Sequence, residues 1–121
     1  MSKLLSIPDD DLSAEQIEFR DHFPYRQVVG ALLYLGIYTR PNIAYAVGVL
    51  ARFGTAPTYN ACYCASHVLQ HLARDPECRL VYSGDIDFDL HGFSGADWAG
   101  DLLTRRSTAG FAIFAKGGLL A

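Results

Sequence analysis

The side chains best suited to chemistry in this sequence are its clustered carboxylates. Asp97 and Asp101 lie in the run Gly92-Phe93-Ser94-Gly95-Ala96-Asp97-Trp98-Ala99-Gly100-Asp101, and Asp85, Asp87 and Asp89 crowd the stretch before it. Two-metal phosphodiester hydrolysis needs several carboxylates converging on cations roughly 4 Å apart, so acidic side chains gathered near a strand are the first thing to weigh. Their position toward turns favours solvated residues, with weak adventitious Mg²⁺ binding as the alternative. Asp9-Asp10-Asp11 has no preceding aromatic residue and no apolar flanks, and reads as a solvated acidic stretch.

A second constellation is softer. Cys64, His67 and His71 fall on one face of an expected helix, where three N and S ligands could meet a zinc ion. Cys62 lies far around that helix, and Cys78 would have to return across the turn at Pro76 to complete a tetrahedron. The competing reading is a polar solvent face. Ser107 and Thr108 have no His–Asp arrangement around them to make a nucleophile. Trp98 beside Gly and Ala reads as core or lid packing rather than a base-stacking platform.

Arg26, Arg40, Arg52, Arg105 and Arg106 are the candidate phosphate contacts. Ten Lys and Arg against thirteen Asp and Glu leave a net charge of −3, and Arg105-Arg106 is the only adjacent basic pair. That distribution opposes a strong nucleic-acid footprint, which draws its affinity from clustered cations.

These residues must be positioned by elements that the hydrophobic period reveals. At 121 residues and 50% apolar content the chain can build an ordinary core. Residues 1–23 are acidic and polar, and read as a flexible leader with a weak helical turn from Ser13, where Gln16 completes a cap pattern. Between Tyr25 and Thr39 the apolar residues fall at helical spacing; Pro41 suits the first turn of a second helix, with Ile43, Ala46, Val47, Leu50 and Ala51 as its stripe and Gly54 closing it. A third helix begins after Thr58, a good N-cap, stops near Asp75 ahead of Pro76, and lays Ala61, Cys62, Ala65, Val68, Leu69 and Leu72 on one arc.

After Pro76 the period shortens. Arg79–Ser83 reads as a short strand, Gly84-Asp85 as a turn, Phe88–Ser94 as a second strand and Thr108–Ala115 as a third, with a turn at Lys116-Gly117-Gly118 that calls for a returning partner. Only three residues remain to supply it, so the sheet is expected to be incomplete. The expected fold class is α+β: a small antiparallel three-helix bundle over 24–75, then an incomplete antiparallel sheet over 76–121. No run approaches the roughly 18 apolar residues of a membrane span or forms a signal peptide. Three cysteines without a secretion signal suggest reduced thiols in an intracellular setting, cytoplasmic or nuclear.

The run from Gly92 to Asp101, followed by Arg105-Arg106-Ser107-Thr108-Ala109-Gly110-Phe111, resembles the start of ribonuclease H in polyproteins of copia-type LTR retrotransposons. That family reads G-Y-S-D-A-D-W-A-G-D, then R-[RK]-S-T-[ST]-G-[FY]. The helical half resembles the same polyprotein between its polymerase palm and nuclease. Tyr25-Arg26-Gln27-Val28-Val29-Gly30-Ala31-Leu32-Leu33-Tyr34-Leu35 is similar to Y-R-x-x-V-G-x-L-x-Y-L, and Thr39-Arg40-Pro41-Asn42-Ile43-Ala44-Tyr45-Ala46-Val47 to T-R-P-D-I-x-x-A-V. Pro57-Thr58 and Val68-Leu69 fit a further motif in the same order.

The resemblance implies a thumb or connection region of a reverse transcriptase running into a truncated ribonuclease H-like sheet. It also marks losses. Gly95 stands where the family has its first nuclease Asp, the polymerase Tyr-x-Asp-Asp turn is absent, and Ser66-His67-Val68-Leu69-Gln70-His71 replaces a basic K-R-V-L-R-Y. The expectation is therefore a chain that alone is no enzyme and has no cofactor, although the intact family enzyme uses Mg²⁺. Expected partners are a second copy or an intact reverse transcriptase through the unfinished sheet edge, with weak nucleic-acid binding at most and no membrane.

Overall fold

The computed structural model describes residues 1–85 and 87–121. The chain is α+β and divides into two compact units, Met1–Cys78 and Arg79–Ala121. The first unit is helical: α1 Ser2–Leu5, α2 Ala14–His22, α3 Tyr25–Tyr38, a 3₁₀ turn Pro41–Ile43, α4 Ala44–Ala51 and α5 Tyr59–Arg74.

The three long-range features that periodicity predicts are present as α3, α4 with its 3₁₀ entry, and α5. Their ends follow local chemistry. The Thr58 hydroxyl accepts from Ala61 N at 3.2 Å, Pro41 opens the 3₁₀ turn, and Asp75 closes α5 ahead of Pro76. After α4 the backbone tightens through Phe53 N→Leu50 O and Gly54 N→Ala51 O bonds, which use carbonyls a helix end leaves unpaired.

Five α-helices, not three, occupy the described residues, because the acidic N-terminal stretch is built into the unit rather than forming a flexible leader. Ser13 and Gln16 make a reciprocal capping box at the start of α2. Both Asp9 carboxylate oxygens accept from Tyr59 N, at 3.2 and 3.1 Å, so Asp9 caps the start of α5 from a distant part of the chain. Arg20 of α2 pairs with Asp9 at 3.1 Å, and the Phe19 ring meets Tyr59 edge-on at 5.9 Å. Anions at a helix N-terminus are stabilised by the dipole and by its free N–H groups, which explains why this acidic stretch folds back.

The core of this unit joins Leu5, Tyr25, Val29, Leu32, Ile43, Val47, Leu50, Ala61, Cys62, Cys64 and Ala65. Leu32, Val47, Leu50 and Cys62 are its largest fully buried side chains. Cys64 corrects the helical-wheel expectation: it is buried, because α1 packs against the face of α5 that the wheel assigns to solvent.

The second unit is a three-stranded antiparallel sheet in the order β1-β2-β3, with β1 His91–Ala96, β2 Ala109–Ala115 and β3 Gly118–Leu119. The β1–β2 register pairs His91 with Phe114 and Ala96 with Ala109. Lys116 and Gly117, with φ of 51° and 75°, form the two-residue turn between β2 and β3, and positive φ at both positions is what a type I′ hairpin demands.

The predicted strand Arg79–Ser83 does not form a ladder. The two-residue β3 offers too little edge, and the segment is instead fastened by Ser83 N→Lys116 O and by the Tyr82 hydroxyl donating to Leu119 O. Gly118 permits that approach: a Cβ there would lie 2.5 Å from the Tyr82 ring and 2.9 Å from Val81 O.

Candidate functional site

The acidic run is carried by β1 and by the long loop to β2. Gly95 sits in β1 opposite Gly110, and a Cβ at Gly95 would meet no atom within 4 Å. Asp97 follows the strand. Its backbone N–H donates to Thr108 O at 3.0 Å and its carboxylate accepts from Thr108 N, so it clasps the two ends of the loop. Asp101 caps a turn inside that loop: Oδ1 accepts from Leu103 N at 2.9 Å and Thr104 N at 3.3 Å, and Oδ2 from the Thr104 hydroxyl at 2.8 Å.

Both carboxylates thus accept hydrogen bonds that hold the loop together. The Ser107 hydroxyl is similarly engaged, accepting from Ala99 N at 3.0 Å. Among the described residues, no three His, Cys, Asp or Glu side chains are grouped to hold a metal ion. Trp98 departs from the expected packing: it is 94% exposed at the start of this loop, next to Asp97.

Cys64, His67 and His71 do come together along one groove. It has a volume of about 450 Å³ and is lined by Met1, Leu4, Asn42, Ile43, Ala46, Tyr63, Cys64, His67, Val68 and His71. The Cys64 thiol is held above its ordinary pKa by burial, and Cys62, in the core behind it, is pushed up to about 11, first by burial and then by Asp9. Zinc and electrophiles take the thiolate, so thiols held protonated are poor ligands and poor nucleophiles. His71 is engaged with Asn42, whose Nδ2 lies 3.3 Å from His71 Nε2, and His67 packs on the Tyr63 ring at 4.8 Å.

The arginines divide between two jobs. Arg40 was expected as a phosphate contact, but it is 8% exposed and donates from Nη1 to Asp75 O at 3.0 Å, stopping the C-terminal end of α5. Arg26 donates to Gly54 O at 2.8 Å, just past α4. Arg105 and Arg106 are exposed on the β1–β2 loop, where Arg105 takes a positive φ of 57°.

Tyr25 completes this pattern. Its buried hydroxyl donates to Leu50 O at 2.6 Å, and burial raises its pKa, with the Cys62 and Cys64 thiols adding to the effect. Tyr25, Arg26 and Arg40, which stand in the two best-matched helical motifs, therefore all satisfy carbonyls at or beyond helix C-termini. Asp9 reads from sequence as a solvated acid and Asn42 was not singled out; both act on residues far away in the chain, and no local pattern signals that.

The chain is 39% identical over 98 residues to secreted RxLR effector protein 161 of Plasmopara viticola, covering 81% of this chain and 69% of that protein. It is 37% identical over 94 residues to the retrovirus-related Pol polyprotein from transposon RE1 of Arabidopsis thaliana. It is 36% identical over 98 residues to that from transposon TNT 1-94 of Nicotiana tabacum. This chain belongs to one family with that effector-named protein, and its homologues include segments of retrovirus-related transposon Pol polyproteins.

It corresponds to a small segment of the transposon polyproteins themselves, matching 78% of its own length to 6% of RE1 and 81% to 7% of TNT 1-94. No family profile and no solved structure matches the chain. Within this Pol-related segment, no helix of the described residues is long and apolar enough to cross a membrane.

Proposed function

We propose that the chain is a segment of a copia-type retrotransposon polyprotein, running from the thumb or connection region of the reverse transcriptase into the opening strands of ribonuclease H, and that by itself it catalyses neither reaction. One observation carries the inactive reading. The family's first nuclease carboxylate is replaced by Gly95, and the neighbouring Asp97 and Asp101 are committed to the loop between β1 and β2. These residues do not fit the Mg²⁺ of the intact enzyme, because their carboxylate oxygens already accept from N–H and O–H groups and no three such side chains are grouped among the described residues. The helical motifs support the assignment to the thumb or connection, while Arg40 turned inward and Arg26 bound to Gly54 O take two of the five candidate phosphate contacts into structural roles and leave Arg52, Arg105 and Arg106 exposed.

The test is an assay of the full chain for primer extension and for cleavage of an RNA–DNA hybrid with Mg²⁺ or Mn²⁺. No product is expected. Gly95→Asp fits sterically yet should restore nothing, since Asp97 and Asp101 are committed to the loop and no three His, Cys, Asp or Glu side chains among the described residues are grouped to hold a metal. Metal-dependent cleavage above that of a Gly95→Pro control overturns the reading.

A second reading, an interaction module, is favoured by the aromatic surface of the sheet unit. Phe93 is 65% exposed on one face of the sheet and Phe111 70% on the other, Trp98 is exposed in the loop after β1, and β1 pairs with β2 alone among the described strands. Unpaired edges and apolar patches of this kind template association. Sedimentation at micromolar concentration should show self-association that Ile113→Lys weakens; a clean monomer at high concentration leaves the inert-segment reading alone.

A further inference from the structure

The groove that gathers Cys64, His67 and His71 is unsuited to a metal, but its chemistry is not neutral toward other ligands. Its walls are mainly apolar, through Ile43, Ala46 and Val68, while its polar groups are two imidazoles and an amide, His67, His71 and Asn42; no Asp or Glu lines it. A cavity of about 450 Å³ with apolar walls and a few convergent polar groups lies within the range that holds small organic ligands.

The polar end is ordered by a relay. Arg40 Nε lies 3.4 Å from Asn42 Oδ1, which turns the amide so that Nδ2 faces His71 Nε2 at 3.3 Å. An imidazole whose Nε2 accepts must carry its proton on Nδ1, so in this arrangement neutral His71 keeps an N–H donor. Behind the relay stands an unusual group. Arg40 is more than nine-tenths buried, it donates to the neutral oxygens Asp75 O and Asn42 Oδ1, and its buried Nη2 has no hydrogen-bond partner among the described residues. A guanidinium buried against neutral acceptors leaves positive potential at this end of the groove, where an anion would be stabilised.

We propose that this groove binds a small amphipathic carboxylate, with its apolar body against Ile43, Ala46 and Val68 and its head group at His67, His71 and Asn42. The apolar wall supplies non-directional affinity and the donors with Arg40 behind them supply selection for the anion, so the uncharged analogue is the informative control.

The test uses the full chain, with octanoate and 1-octanol as probes, followed by the ring resonances of His67 and His71 and by calorimetry. Octanoate should bind saturably, at least about tenfold tighter than octanol, a ratio in line with a hydrogen bond to a charged group. Ala46→Trp, which fills the groove at a half-exposed position, should abolish binding of both probes with the far-UV helical signal retained. His71→Phe should leave octanol binding in place and erase the preference for octanoate, and it serves equally if the Trp variant does not fold. Octanol binding as tightly as octanoate, an Ala46→Trp protein that is folded and still binds, or the lack of saturable octanoate binding overturns the proposal.

Discussion

The helical unit, Met1–Cys78, and the sheet unit, Arg79–Ala121, come from one continuous family segment, yet they spend their motif residues differently. In the helical unit Tyr25, Arg26 and Arg40 close carbonyls at helix ends around a contiguous core of eleven buried side chains, Leu5 through Ala65. In the sheet unit Asp97, Asp101 and Ser107 hold a loop together, and Ala115 is the one buried apolar side chain among its described residues. Polar side chains at helix ends consolidate a core that apolar stripes have already assembled. Polar side chains in an exposed loop have no such core to reinforce. The lesson is that the motifs preserve local geometry in both units, but only the helical one couples that geometry to burial.

The sharpest way to break this contrast is to truncate one apolar side chain in each unit. Leu50→Ala removes a fully buried side chain and should cost about 2–5 kcal/mol of unfolding free energy. Phe93→Ala removes a larger side chain that is 65% exposed and should stay within about 0.5 kcal/mol. Chemical denaturation followed by far-UV circular dichroism reads both, and equal losses would show that the sheet unit depends on burial as strongly as the helical one.

A smaller effect is expected from Tyr25→Phe. The change leaves the ring in the core but strips the donor from Leu50 O, at a cost of about 1–3 kcal/mol. Leu50→Ala and Tyr25→Phe touch neighbouring sites, so the double variant should fall short of their sum. Strict additivity in the same denaturation series would mean that the motif hydroxyl works independently of the core.

The smallest effect is absent at neutral pH. The Cys62 thiol is neutral and buried, with its pKa raised from 9.0 to about 11, so the unfolded chain ionises first as pH rises. Stability from this group is intact below about pH 9 and is lost as pH climbs toward 11, because the native state then holds more protons than the unfolded one. Cys64 and Tyr25 are shifted in the same direction by burial and add to the same alkaline limb. Urea midpoints measured from neutral to alkaline pH should fall for the parent and fall less for Cys62→Ala. Identical alkaline slopes in the two proteins would refute the assignment.

The sequence by itself determined α3, α4 and α5, because a 3.6-residue apolar period, a Thr58 cap and prolines at 41 and 76 act within a few residues of where they stand. The same holds for the Lys116-Gly117 turn and for β2, where turn chemistry and an uninterrupted apolar run are local signals. It also carried a likeness to a retrotransposon polyprotein, which the transposon Pol relatives bear out at that coarse level.

Only the tertiary structure decided which polar side chains face inward. A helical wheel assigns faces but not neighbours, so it leaves Cys64 toward solvent until α1 covers that face of α5. Asp9 reads as a solvated acid until the chain brings it, 50 residues along, to the free N–H groups at the start of α5, and Arg40 reads as a surface cation until the end of α5 meets it 35 residues later. Arg79–Ser83 has the composition of a strand, but a strand exists only where an edge is long enough to pair with it, and the two residues of β3 are not. Local spacing dictates the conformation of a segment. What a side chain does depends on which distant backbone groups the fold leaves unpaired beside it.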